Sequence, residues 1–320
     1  MSRLQSTVRD EASCRRHGPR RDRRARGPGP EGARQCRPGH APRLNPPMKE
    51  ATMVSAPRLH TSAAHSPAGN GNQAIKTWPP VSLYLLVAWL AAGGLIGLQP
   101  ITHIPTVVLE IVQFAPTTAV LVLMATRRVA APRIWQGPVS ATLRRIAVVF
   151  VIMAALFGLT VAGLAAAGRP VQLTSLRSLG EPFWLIVVAQ LVGACAEEFG
   201  WRSFLQPHLE RRYSPLASAL IVGFAWGTWH VGVTSNGLLV YAVFVATAMC
   251  LSVIMAEMIR GVSSLAVAGV FHWLLNIGIL MLLNNFTNIN LTEMTVFAVC
   301  VAATAVVVRC LVKRSPRPEA

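Results

Sequence analysis

The chain has 320 residues, 52% of them hydrophobic and only 13% charged, which is too apolar for an ordinary water-soluble domain of this length. The net charge of +17 invites a nucleic-acid reading, but 15 of the 30 Lys and Arg lie at or before Lys76, against five acids there. The charge therefore belongs to a tail, nucleic acid is excluded as a partner, and the apolar remainder points to the lipid bilayer.

Residues 1–76 are rich in Arg, Pro, Gly, Ala and Ser and cannot bury enough apolar surface to offset chain entropy, so they are expected to be disordered. Their composition resembles translated GC-rich non-coding sequence, which makes Met48 or Met53 the expected natural start. If translated, the basic tail is expected to lie on the inner leaflet.

From 77 to 314 the pattern is that of an all-α, multi-pass bundle of about eight transmembrane helices. Apolar stretches fall at about 81–98, 105–125, 146–167, 183–200, 215–232, 237–256, 263–283 and 293–312. Segments near 20 residues match a hydrocarbon core of roughly 30 Å at 1.5 Å per residue. With the N-terminus inside, the inner loops carry Arg127, Arg128, Arg133, Arg144, Arg145, Arg202, Arg211, Arg212, Arg260, Arg309, Lys313, Arg314 and Arg317. The outer loops carry only Arg169 and Arg177. Retention of Lys and Arg on the cytoplasmic side then predicts N-in and C-in in a cell membrane, and the Ala/Arg-rich composition suits a bacterial cytoplasmic membrane.

Six cysteines show no CxxC and no regular framework, so neither disulfides nor a cysteine-held metal is expected. Trp78, Trp89 and Trp184 read as interface anchors, Pro116 as a kink in the second helix, and Gly158, Gly163 and Gly193 as close-packing positions. Glu110, Gln113 and Gln190 read first as interhelical hydrogen-bonding groups that could also line a substrate path.

Ionisable residues inside a membrane are costly, about 2.5–3.5 kcal/mol each on insertion scales, so each invites a functional question. The fourth helix is expected to end in Glu197 and Glu198 with Arg202 close behind. Glu198 and Arg202 are spaced i, i+4 and can pair on one face, while Glu197 projects about 100° away and stays free. Such a carboxylate suits a general base. The fifth helix brings Trp226 and His230, and the seventh brings His272 and Asn276, again at i, i+4. Two histidines, an asparagine and a free glutamate on three separate apolar helices exceed what packing requires.

These residues resemble the CAAX-processing and bacteriocin-processing (CPBP, or Abi) family of intramembrane glutamate proteases. Its EExxxR motif is matched by Glu197, Glu198 and Arg202, and its HxxxN motif by His272 and Asn276. Its FxxxH motif departs here: His230 is present, but Trp226 stands four residues before it, with Phe224 two further back. The change is expected to alter packing and leave the site intact. The resemblance covers about 180–285. It implies an endopeptidase in which Glu197 activates water, His230 orients or relays its proton, His272 and Asn276 donate to the oxyanion, and Glu198 and Arg202 hold the helix end. It implies a peptide or protein substrate, prenylated CAAX tails in eukaryotic members, with the site near the cytoplasmic face. Metal-free catalysis is the preferred reading; a zinc site, the alternative, would use Glu197, His230 and His272. A non-catalytic transporter or immunity protein using the same cluster for binding is the alternative from a different class, and oligomeric state is not legible.

Overall fold

The computed structural model describes residues 71–314 except 170 and 172, with side chains described from 79 to 312. The expectations for the tail before residue 71, for its start site and for Trp78 and Arg317 lie outside the described side chains. Eight helices follow one another: α1 Gly71–Thr102, α2 Ala115–Ala125, α3 Val139–Ala166, α4 Phe183–Glu210, α5 Pro215–Trp229, α6 Leu238–Met258, α7 Ser264–Leu282 and α8 Leu291–Arg314. A 3₁₀ turn, Ile111–Phe114, leads directly into α2. The described residues contain no strand.

Six of these helices are long and apolar enough to cross a membrane, whereas Ile111–Ala125 and Pro215–Trp229 are shorter apolar helices. At 1.5 Å per residue, the 15 residues of α5 span about 22 Å, less than a hydrocarbon core of roughly 30 Å. The second and fifth expected spans are thus short helices, each packed between longer neighbours. Pro116 explains part of this, because it sits at the first turn of α2 and starts the helix where a mid-span kink was expected.

Local chemistry fixes the ends. Ser214 and Ser263 accept the backbone N–H of Ala217 and Ala266 and cap α5 and α7. Asn290 and Glu293 form a reciprocal capping box at the start of α8. Gly137, at φ +68°, lies against the carbonyl of Gly261, where a Cβ would collide.

Two sets of loops define the two ends of the bundle. At one end Ser263 bonds the carbonyl of Ile134, Ser203 meets Ser264 at 3.1 Å, and Arg309 pairs with Glu257 at 2.9 Å. At the other, Thr174 bonds the carbonyl of Leu280, and Asn236 donates to the carbonyl of Phe286. The first end carries Arg127, Arg128, Arg133, Arg211, Arg212 and Arg260; the second carries Arg169 and Arg177.

Between the ends the core is aromatic and aliphatic. Tyr84, Trp201, Phe204 and Trp229 pack edge-to-face or tilted, and Trp89 rests on Trp229 at 5.1 Å. Trp89 makes this contact from the middle of α1 while remaining 42% exposed, and Trp184, near the start of α4, is 69% exposed. Gly163 and Gly193 do permit close approach, to Val296 and Gln113, whereas Gly158 faces open space. Leu90, Val151 and Val306 turn outward from α1, α3 and α8, as a lipid-facing surface requires. Cys195, Cys250, Cys300 and Cys310 are free thiols.

Candidate functional site

The acidic pair does not end its helix. The chain continues from Gly200 through a π-helical turn, Trp201–Leu205, and on to Glu210, so Glu197 lies about 21 Å along α4 from Phe183, near mid-length. The expectation that the pair ends its helix is corrected accordingly: the carboxylates stand near the middle of α4. Arg202 is corrected with them, since it is fully buried inside the helix and is no loop charge. π-turns of this kind are frequent where a helix carries function.

The two glutamates have separate surroundings. Glu198 is fully buried, with Arg202 Nη1 3.2 Å from its Oε1 and 3.1 Å from its Oε2, and His272 Nδ1 2.8 Å from Oε1. Among the described residues Glu197 has a single side-chain hydrogen-bond partner, the indole Nε1–H of Trp226, which donates to its Oε2 at 3.1 Å. The other face of the same indole lies under the Arg202 guanidinium, 4.7 Å from its centroid. Trp226 thereby links the buried ion pair to the free carboxylate. The aromatic exchange expected to affect only packing in fact supplies a hydrogen bond that phenylalanine lacks.

A cavity of about 580 Å³ opens from this point. Glu197, His230, His272 and Asn276 line it together with Trp226, Gln113 and Gln190, while Glu198 and Arg202 stand behind the wall. All six residues singled out by the sequence thus converge on one place, four on the cavity surface and two in its support. The cavity also reaches Thr106, Ser235, Asn236, Asn285 and Thr287, all in loops at the arginine-poor end. Glu197 forms its deep part, and the mouth faces away from the arginine-rich end.

Hydrogen bonds set the chemistry of each wall group. His230 Nδ1 lies 2.8 Å from the carbonyl of Trp226, and a carbonyl can only accept, so Nδ1 carries a proton, and in the neutral ring Nε2 keeps its lone pair. Asn276 Nδ2 donates to Gln190 Oε1 at 3.1 Å, and Gln190 Nε2 is anchored on the carbonyl of Val108 at 3.2 Å. One N–H of Asn276 remains for another acceptor. The expected interhelical hydrogen bond of Gln190 is present and its place on the cavity wall as well; the sequence did not name Asn276 as its partner. The signal was available, since Gln190 precedes Glu197 by two helical turns on the same face of α4. At the mouth Glu110 is exposed, yet the partial enclosure of its carboxyl by the surrounding protein, and then the charge of Glu197, push it above the usual range.

The ligand set that zinc would need is not assembled. Among the described residues no three His, Cys, Asp or Glu side chains stand close enough together to hold an ion, although Nδ1 of both histidines is held by the protein and Nε2 is the nitrogen left for a ligand. No step below is routed through a metal.

Residues 179–278 match the family model of Rce1-like type II CAAX prenyl endopeptidases, a CPBP-family domain. The match spans α4 to α7 and contains every residue of the cavity constellation named from the sequence. Comparison with curated proteins finds no match.

Proposed function

We propose, from the premise that residues 179–278 form a CPBP-family domain of the CAAX-protease type, that this chain is an intramembrane endopeptidase in which Glu197 activates the attacking water. The observation that carries the proposal is the division between the two carboxylates. Glu198 is consumed by Arg202 and His272, whereas Glu197 faces the cavity with one donor on Oε2 and Oε1 free.

A water held against Glu197 attacks the carbonyl carbon of the scissile bond and gives its proton to the carboxylate. The protonated Glu197 then delivers that proton to the departing amide nitrogen, which leaves as an amine. His230, with its Nε2 lone pair on the same wall, accepts a hydrogen bond from the water and holds its orientation. The second N–H of Asn276, fixed by Gln190, donates to the oxyanion as it forms. His272 donates there from Nε2 when it is an imidazolium. In that state Glu197, Glu198, Arg202 and His272 sum to zero charge, which suits a low-dielectric interior.

The substrate is a peptide or protein segment held in or beside the bilayer. With the arginine-rich end inside, the mouth opens toward the extracytoplasmic side. The test compares peptide profiles of membranes containing wild type or Glu197→Gln. Uncut precursors accumulate only with the variant; indistinguishable profiles would remove Glu197 from the reaction.

A further inference from the structure

Glu110 and Gln113 stand at either end of the short turn before α2, and both line the large cavity. The protein leaves each of them with unused bonding capacity. Gln113 is only 6% exposed, yet its Oε1 makes no hydrogen bond among the described residues. A buried acceptor in that condition is unusual in a native fold; it rests sealed against Gly193 and meets a donor from the cavity only when the side chain rotates toward it. The space is built for this amide, because a side chain at position 193 in place of glycine would collide with it.

Glu110 lines a second cavity as well, of about 250 Å³, whose other walls are Ile96, Gln99, Pro100, Thr106 and Val112. Gln99 is fully occupied there: its Nε2 donates to the carbonyls of Ile104 and Leu109, and its Oε1 accepts from the Ile111 N–H. Glu110 has no ion pair among the described residues, and neither cavity has Lys or Arg in its lining. The result is a mainly apolar slot edged by one solvent-exposed carboxylate without an ion pair among the described residues, opening beside the bond-breaking groups.

Resting on the endopeptidase reading, we propose that this slot binds a lysine or arginine side chain of the substrate. The aliphatic stem lies over Ile96, Pro100 and Val112, the cationic head meets Glu110, and Gln113 Oε1 accepts a backbone N–H of the same segment. Long basic side chains fit such a place because stem and head have opposite solvation needs. The substrate class is thus a segment with a basic residue near the scissile bond.

The test is binding to the Glu197→Gln protein in lipid nanodiscs, read by the fluorescence of Trp226 and Trp229 on the cavity wall. The probes are N-acetylated, C-amidated octapeptides that differ only by lysine, norleucine or glutamate at each position in turn. At one position lysine binds about tenfold more tightly than norleucine, the lower range for close charge pairs at interfaces, and glutamate binds worst. Adding Glu110→Gln brings the lysine-to-norleucine ratio toward one, and Glu110→Lys reverses the order in favour of glutamate. Gln113→Met weakens the lysine and norleucine peptides alike. Absence of a lysine preference at every position, or its survival in Glu110→Gln, overturns the proposal. A lysine preference in a protein whose wild type cuts none of the peptides upholds the slot and sinks the endopeptidase reading instead.

Discussion

The Glu198–Arg202 pair gives the sharpest quantitative expectation. Both side chains are fully excluded from solvent, and Nε and Nη2 of Arg202 make no hydrogen bond among the described residues, so Glu198 carries nearly all of the compensation for the guanidinium. Removing one member of a buried pair strands the other charge and costs about 3–5 kcal/mol. Glu198→Gln and Arg202→Met should each lower stability by roughly that amount. The double variant has no stranded guanidinium, and its loss should fall short of the summed single losses by about 2–3 kcal/mol, the upper range for residues in one network. Unfolding in mixed detergent micelles, followed by tryptophan fluorescence, measures all three against wild type. Strict additivity would refute the claim that Glu198 exists chiefly to hold Arg202 and His272, and would reopen it as a second candidate base.

Trp226→Phe keeps an aromatic ring beneath Arg202 and deletes the one donor on Glu197; peptide hydrolysis should drop about tenfold, the expectation for losing a hydrogen bond to a charged group worth about 1.5 kcal/mol. Unchanged turnover would show that the indole N–H does not orient the base. Gln190→Leu releases Asn276 and should lower kcat with little change in KM, because the oxyanion forms only as the bond breaks; a rise in KM alone would make Gln190 a substrate-binding group. For orientation, Cys14, Cys36 and Cys310 are replaced by serine and one cysteine is introduced at Ser235, Thr287 or Gln136. A membrane-impermeant maleimide added to intact cells should label the first two and spare the third, and the opposite pattern would put the cavity mouth in the cytoplasm.

Much of this site was legible because its residues are expensive in an apolar helix. Glu197, Glu198, Arg202, His230, His272 and Asn276 stand out from sequence context, and the i, i+4 spacings of Glu198 with Arg202 and His272 with Asn276 fix which share a face. The i, i+4 rule held for Glu198 and Arg202 even where the π-turn begins. Side-chain alternatives that depend on neighbours were not legible. Trp226 reads as an apolar ring until the helices dock and its N–H meets Glu197, and Gln113 reads as an interhelical donor until its oxygen is found unpaired. Helix lengths failed for a similar reason. The stretches at 105–125 and 215–232 are apolar enough to span, but Pro116 starts α2 late and α5 stops at Trp229, where His230 turns to bond the carbonyl of Trp226.

Depth and access are separate quantities, and only the first follows from a motif's place along its helix. An outside-to-inside α4 with an acidic pair at its end implies a site beside the cytoplasm. Continuation of α4 to Glu210 moves that pair inward, and the short α5 matters as much. Because α5 ends at Trp229, the loop at 230–237 lies lower than the ends of longer neighbours allow, and Ser235 and Asn236 join the cavity wall with Asn285 and Thr287. The shortened helix thus does what a full span could not: it lets polar backbone and side chains descend toward Glu197 inside protein walls, which is where non-helical chain is tolerated at membrane depth. Lengthening α5 by a turn would raise that loop and close the route. Hydrolysis would then fail while the Glu198–Arg202 clamp, on the far side of Trp226, kept its stability.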